Sequence, residues 1–332
     1  QGYSSAASDV YKRQLKTLEN RTLFVGPDDK FPDGCRSCLL GSGLTAIRKT
    51  NKCNLQCRFC YNYGELDAIE PVGEGIWVIG GTKFYENDID LLLEIHKKPT
   101  GVAYVYLEPF MEIEKYYNII QKFNKAGIYQ HLYTNGTLAT ETTLKALGEA
   151  GLDELRFNLG ASGCADKVIE NIGIAKKYIK KVGIETPMTN EFFEKFFVKK
   201  QAVFDTGLDF INCAELHLNP NNIENYWGEK MYIARHGYIS PIWSRELTLR
   251  FMAAAAKEKW NLVVHDCSND TKFARDLNLG VKEGKWFGAS SYTSEFLEIP
   301  YAIFLPVLRD EEFHFLVEEE LPSGYKPGEM LF

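Results

Sequence analysis

No apolar run in this 332-residue chain approaches the roughly 18–20 residues needed to cross a bilayer, and no secretory h-region is visible. These absences predict a soluble, cytoplasmic protein without a membrane partner. A basic excess is also lacking. The 38 Lys and Arg stand against 45 Asp and Glu, for a net charge of −7. With both signs interspersed, nucleic acid is not an expected partner. Neither an internal repeat nor a low-complexity linker is present. A starting Met is missing as well. Residues 4–14 resemble a translated sequencing-adaptor artefact, so residues 1–14 are set aside and the native N-terminus is expected to be absent. What remains is 45% hydrophobic, enough to bury a large core as one barrel-sized domain or two smaller ones.

Eight Cys in a chain this long, gathered mainly in two groups, read as metal ligands in a reducing compartment and not as a disulfide framework. The sharper group is Cys53-Asn54-Leu55-Gln56-Cys57-Arg58-Phe59-Cys60, with C-x3-C-x2-C spacing. Thiolates are soft ligands that favour iron–sulfur clusters, zinc and Cu(I). Three of them can hold three irons of a cubane cluster and leave the fourth iron open to a substrate or cofactor. The competing readings are a zinc knuckle and scattered core thiols, but zinc sites usually pair C-x2-C with a second ligand pair.

Fifteen residues earlier, Gly34-Cys35-Arg36-Ser37-Cys38-Leu39-Leu40-Gly41 carries a second thiol pair. It precedes the first recognisable strand, and its flanking glycines predict a loop wrapped around a metal. A second cluster, a zinc ion, or no metal are the three readings. Cys267 is the best third ligand for such a site, and Cys164 and Cys213 are weaker ones. Cys213 lies in an apolar run, where a lone Cys is more often a small core residue.

Short β-branched or aromatic runs alternate with longer amphipathic stretches after Cys60. Strands are predicted over 103–107, 128–133, 154–159, 182–186, 210–218 and 261–265, with helices over 113–126, 141–150, 165–181, 191–206 and 245–259. This alternation argues for an α/β fold of parallel βα units curled into a partial or full barrel. Residues 15–43 form a cysteine-containing segment, 44–280 the barrel and 281–332 a strand-rich accessory element. The stretch between Tyr61 and Thr100 is an insertion with its own strand over 76–79, and Gly80-Gly81-Thr82 is a turn.

The cysteine spacing, with an aromatic residue directly before Cys60, resembles the cluster loop of the radical S-adenosylmethionine (SAM) superfamily. The upstream Cys35/Cys38 pair, Glu185-Thr186-Pro187, Asn212-x-x-Glu215-Leu216 and His265-Asp266-Cys267-Ser268 with Lys272 look like one group within it. That group is described only as related to pyruvate formate-lyase activating enzyme. The resemblance implies a [4Fe-4S] cluster on Cys53, Cys57 and Cys60 whose open iron chelates the methionine part of SAM. Phe59 and Tyr61 would lie by the cofactor, and Cys35, Cys38 and Cys267 would hold an auxiliary cluster. In parallel barrels working groups sit at strand C-termini, which selects the remaining cofactor-binding residues. At the second strand Glu108 and Pro109 match a Gly-Gly-Glu-Pro segment that receives the SAM amino group, with Tyr106 and Leu107 in place of the glycines. Thr134 and Asn135 follow the third strand. Arg156 and Asn158 are expected ligands for the SAM carboxylate and ribose, and Glu185 and Glu215 end the next strands.

The implied activity is reductive SAM cleavage followed by hydrogen abstraction from a small-molecule, peptide or protein substrate, with a flavodoxin- or ferredoxin-type electron donor. A glycyl-radical-enzyme activase and a non-catalytic iron–sulfur or zinc protein are the alternatives. Tyr226, Trp227, Tyr232 and Trp243 suit either a substrate channel or ordinary packing.

Overall fold

Alternating side-chain size and polarity along the strands dictates the architecture, seen in a computed structural model of the protein. The structure describes residues 16–18, 22–80, 82–95, 99–233, 239–269 and 271–272, with the short strand pair Tyr292–Thr293 and Pro300–Tyr301. Most of the expected accessory element, and residues 1–14, lie outside the described residues.

The chain enters through β1 (Lys16–Leu18) and β2 (Thr22–Val25), then α1 (Asp33–Leu39) and β3 (Gly43–Ile47). After the cysteine loop come the hairpin β4 (Ile76–Ile79) and β5 (Thr82–Tyr85) and helix α2 (Ile89–Ile95). Four βα units follow: β6 (Gly101–Tyr104) with α3 (Tyr117–Lys125), β7 (Tyr129–Thr134) with α4 (Glu141–Ala150), β8 (Glu154–Phe157) with α5 (Asp166–Ala175), and β9 (Lys181–Pro187) with α6 (Asn190–Asp205). Strand β10 (Phe210–Ala214) leads to the small ribbon β11 (Met231–Ile233) and β12 (Ile239–Pro241), then α7 (Ile242–Glu258) and β13 (Val263–Cys267).

Among the described residues, eleven strands form one sheet in the order β1-β2-β13-β10-β9-β8-β7-β6-β3-β4-β5. Every pairing from β13 to β3 is parallel. Antiparallel strands finish both ends, and β1 and β5 do not meet. The result is a partial barrel.

One face of each strand packs on the helices. Leu132, Leu155, Phe157, Val182, Ile184, Ile211 and Val264 join Leu144, Leu147, Ile172, Phe196 and Phe251 in one continuous core. Cys164 and Cys213 belong to this core. The opposite face carries His131, Tyr133, Arg156, Glu185, Asn212 and His265. These side chains bond one another across the barrel interior: Arg156 to Tyr133 and Glu185, Asn212 to Glu185, and His265 to Asn212. Period-two alternation therefore sorts apolar residues outward and polar ones inward.

Local signals set several helix ends. Thr140 makes a capping box with Thr143, and Gly151 ends α4 in the left-handed conformation (φ 95°). Thr189 caps α6 through Phe192 N.

Several expectations change: the strands expected over 103–107 and 261–265 are Gly101–Tyr104 and Val263–Cys267, and three further differences have a plain physical reason. The Cys35/Cys38 segment is helix α1, preceded by β2, and not a loop ahead of the first strand. Gly34 is what allows that helix to sit in the barrel, since a Cβ there would lie 2.6 Å from Arg156 Nη2 and His131 Nδ1. The expected strand over 210–218 stops at Ala214; Glu215 N still reaches Cys267 O, but Leu216 N turns to Ser244 Oγ. The helix expected over 165–181 ends at Ala175, because Lys181 N pairs with Asp153 O and opens β9.

Candidate active site

The strand C-termini open on a cavity of about 770 Å3, lined by Cys53, Cys57 and Cys60 on one side and by residues just beyond β6 to β10 on the other. The three thiols also share a smaller hollow of about 140 Å3 with Leu55, Gln56 and Leu107. Burial raises the pKa of all three. Mutual repulsion adds to this for Cys57, which is pushed up to about 12, whereas Asn62 eases it at Cys60. Cys60 Sγ accepts a hydrogen bond from Asn62 N at 3.4 Å. Three soft donors crowded so that they resist ionisation suit a cationic iron centre, which would favour the thiolate forms. Among the described residues no three His, Cys, Asp or Glu side chains close on a single metal ion; a cluster asks each thiolate to meet its own iron.

The cluster loop lacks regular structure, so its shape comes from side-chain bonds. On one flank Glu108, itself only 2% exposed, accepts from Phe110 N (3.0 Å), Thr134 Oγ1 (2.7 Å) and Asn135 N (2.6 Å). Burial raises its pKa, and these three donors oppose the rise. The turn it clamps then holds the loop: Asn135 Nδ2 donates to Asn54 Oδ1 (2.9 Å), and Asn54 Nδ2 donates to Thr137 Oγ1 (2.8 Å). On the other flank the asparagines after β10 grip loop carbonyls. Asn222 Nδ2 reaches Phe59 O (3.1 Å), Asn219 and Asn221 reach Tyr61 O (3.0 and 2.8 Å), and Asn225 reaches Arg58 O (2.9 Å). Lys52 and Lys115 pair with Glu112 just ahead of Cys53.

The segment after β6 keeps the backbone a glycine pair would adopt. Tyr106 and Leu107 have φ of 105° and 48°, a region that costs a residue with a Cβ about 1–3 kcal/mol. Both side chains line the cavity.

Most of the expected cofactor residues converge here. Phe59, Tyr61, Glu108, Thr134 and Asn135 line the cavity, as do Asn158, Glu185 and Glu215. Two do not. Pro109 is buried at the start of a 3-10 turn. Arg156 lies deeper in the barrel, 3% exposed, paired with Glu154 (2.5 Å) and Glu185 (2.6 Å) and 3.4 Å from Cys35 Sγ. Strand alternation puts Arg156 and Asn158 on one face, but they stand two residues apart in depth, and only Asn158 reaches the rim. Cys35 Sγ also accepts from Asn212 Nδ2 at 3.1 Å. Cys267 follows His265 on the inward face of β13, and burial with the Glu185 and Cys38 charges outweighs Lys272 to push its thiol up to about 12. Neither Cys35 nor Cys38 nor Cys267 is part of the cavity wall.

Sequence reasoning passed over Lys272 and His217 as site residues. Lys272 Nζ lies 3.0 Å from His217 Nε2, and His217 Nδ1 lies 2.6 Å from Tyr61 Oη. The sequence does carry a signal for His217, since alternation with Glu215 puts the two on one face after β10, but His217 is not among the expected cofactor ligands. Of the aromatics, Tyr226 packs on Trp243, Trp227 is exposed, and Tyr232 bonds Glu215 from behind the wall. Among the described residues no helix is long and apolar enough to cross a membrane.

Parts of the chain are similar to known proteins. Residues 47–195 match the family model described as Radical SAM superfamily. A Methanocaldococcus jannaschii protein provisionally named a glycyl-radical enzyme activating enzyme is 27% identical over 205 residues, which is 58% of this chain and 52% of that protein. A Pyrococcus furiosus tungsten-containing aldehyde ferredoxin oxidoreductase cofactor-modifying protein is 24% identical over 202 residues, 53% of this chain and 52% of that one. The chain thus spans about half the length of these relatives. Among solved structures, Streptococcus suis SuiB bound to S-adenosylmethionine aligns at 15% identity and TM-score 0.49, covering 68% of this chain and 50% of that one. Residues 47–195, with the C-x3-C-x2-C loop at the rim of a partial parallel barrel, are thus similar to the radical SAM superfamily.

Proposed function

We propose that this protein is an enzyme that cleaves SAM reductively and abstracts a hydrogen atom from a substrate held in the rim cavity. The observation that carries the reading is the three-thiol hollow opening into a larger cavity at the strand C-termini. Cys53, Cys57 and Cys60 would hold a [4Fe-4S] cluster. When bound, that cluster supplies an electron from a flavodoxin- or ferredoxin-type donor, splitting SAM at S–C5′ into methionine and a hydrogen-abstracting 5′-deoxyadenosyl radical.

The chain's own residues bind and orient. Glu108 has two carboxylate oxygens and three internal donors, which leaves acceptor capacity for the SAM ammonium. Asn158, whose Oδ1 accepts from Thr186 Oγ1 (2.8 Å), lies in the cavity wall that would face the ribose. Phe59, Tyr106 and Leu107 supply apolar walls that exclude water from a reactive centre. Cys35, Cys38 and Cys267 are the proposed auxiliary-cluster ligands. Arg156 and Asn212 would hydrogen-bond the Cys35 sulfur, one of the means by which a protein tunes a cluster.

Anaerobic reconstitution, reduction and chromatography test the proposal. The reading requires 5′-deoxyadenosine from the wild type and none from Cys57→Ala; intact SAM in both refutes it. Iron analysis of the same samples tests the auxiliary site: two cubane clusters give about eight irons per chain and one gives about four. A glycyl-radical-enzyme activase is the second reading, favoured by the name of the M. jannaschii relative. Transfer of the radical to a co-encoded partner enzyme would distinguish it.

A further inference from the structure

Among the described residues, four side chains that ordinarily carry a full charge line the rim cavity: Glu108, Glu185, Glu215 and Lys272. The three carboxylates are already met by the protein. Glu108 takes its three donors, and Glu185 accepts from Arg156 Nη1 (2.6 Å) and Asn212 Nδ2 (2.8 Å). Glu215 accepts from Tyr232 Oη, Ser240 Oγ (3.2 Å) and Asn269 N (2.7 Å). Lys272 is different. Its ammonium bonds His217 Nε2, and among the described residues no carboxylate lies within ion-pair distance of it.

Its position is fixed. Lys272 N donates to Ser268 O (3.0 Å), and Thr271 N donates to Ser268 Oγ (3.3 Å), so a hydrogen-bonded turn directly after β13 presents the side chain. An ammonium only donates, so Nε2 accepts and the imidazole proton is on Nδ1, directed to Tyr61 Oη. Tyr61 is in turn gripped through its carbonyl by Asn219 and Asn221. The cation is thereby tied to the cluster loop across the cavity, with two of its three protons directed at no carboxylate among the described residues.

We infer that the substrate carries an oxyanion, a carboxylate or a phosphate, which is seated on Lys272 while the reacting carbon faces the cluster loop. The inference rests on the reading of this cavity as the reaction site. SAM's own carboxylate is expected at the cluster iron, which leaves Lys272 to a second molecule. A partly buried cation already oriented by a neutral imidazole loses little freedom when it meets an anion.

Equilibrium dialysis of the reconstituted protein with radiolabelled inorganic phosphate and, separately, acetate tests this, each with and without SAM. One saturable site per chain, occupied alongside SAM, is expected for at least one of the two ions. The ion that binds identifies the substrate group. Lys272→Met should weaken binding about tenfold or more, the loss of one charge-assisted hydrogen bond, and Lys272→Arg should retain most of it. Iron content and circular dichroism establish that each variant is folded. Should Lys272→Met not fold, the wild-type measurements and Lys272→Gln against Lys272→Arg decide the matter.

Three results overturn the inference: neither ion binding the wild type, an adventitious ion only (binding unchanged in folded Lys272→Met or Lys272→Gln), or strict competition between the ion and SAM. Wild-type protein that forms 5′-deoxyadenosine yet binds neither ion removes this inference alone. Protein that forms none removes the reading beneath it.

Discussion

Tyr106 sits at φ 105°, outside even the small left-handed basin open to residues with a Cβ. Replacing it separates backbone strain from side-chain contacts. Tyr106→Ala removes the ring but keeps the Cβ and so keeps the strain, about 1–3 kcal/mol. Tyr106→Gly removes the ring and the strain, and gives back about 0.5–1 kcal/mol of extra chain entropy in the unfolded state. Both variants lose the same ring contacts, so their difference isolates the backbone. The Gly variant should be the more stable by about 0.5–2 kcal/mol. At ordinary positions the order is the reverse, with Ala favoured by about 0.5–1 kcal/mol. Urea unfolding of the metal-free protein under reducing conditions, followed by far-ultraviolet circular dichroism, measures the two midpoints and slopes. An Ala variant more stable than the Gly variant by the ordinary margin of about 0.5–1 kcal/mol would show that the backbone here is unstrained, and that Tyr106 and Leu107 do not stand in for glycines.

Other residues give independent tests. Asn222 is fully buried and bonds Phe59 O and His217 O; Asn222→Ala should cost about 2–3 kcal/mol in urea unfolding and lower iron retention, whereas unchanged iron binding would mean the asparagines do not shape the cluster loop. Lys115 and Lys52, working against partial burial, hold the Glu112 carboxyl down at about 2, below the roughly 4.3 of an unfolded glutamate. That stability is present above about pH 4.3 and lost as pH falls through 2. Because Lys52 is half exposed, the effect is about 1–2 kcal/mol, and Glu112→Gln should remove it and flatten the acid limb of a stability–pH curve. Burial and the Arg156 charge hold the His131 imidazole well below its usual range. The unfolded chain then takes up that proton first, so stability should decline as pH drops below about 6.5; His131→Gln should make the decline shallower in denaturation measured at pH 7 and 5.5.

The parts of this fold legible in sequence are those whose signals are local. Thr140, Gly151 and Thr189 mark helix ends by chemistry contained within a few residues, and alternation identifies the buried strands. Helix α1 escaped notice because seven residues containing Gly34 have little helical propensity; packing of that glycine against Arg156 and His131 holds it. Strand β10 reads too long because Glu215 to Leu218 keep alternating although the hydrogen bonds leave the sheet after Glu215 N. Arg156 shows the limit most plainly. Alternation tells which face a strand residue takes, but the concave side of a barrel also has depth. Two residues along the chain separate the rim, where Asn158 lines the cavity, from the interior, where Arg156 joins Glu154, Glu185 and Cys35. The asparagine grip on the cluster loop and the Lys272–His217–Tyr61 chain join residues about 55 to 165 positions apart, which no local pattern encodes.

The central claim is that three thiolates hold a cubane and leave one iron open to SAM. Electron paramagnetic resonance of the reduced, reconstituted Cys35→Ala/Cys38→Ala/Cys267→Ala protein, with the Cys53, Cys57 and Cys60 set alone remaining, tests it most directly. A [4Fe-4S]+ signal that changes on adding SAM is predicted, with the signal itself lost when Cys57 is also replaced. A cluster signal that SAM leaves unmoved, or one that survives loss of Cys57, would contradict the account.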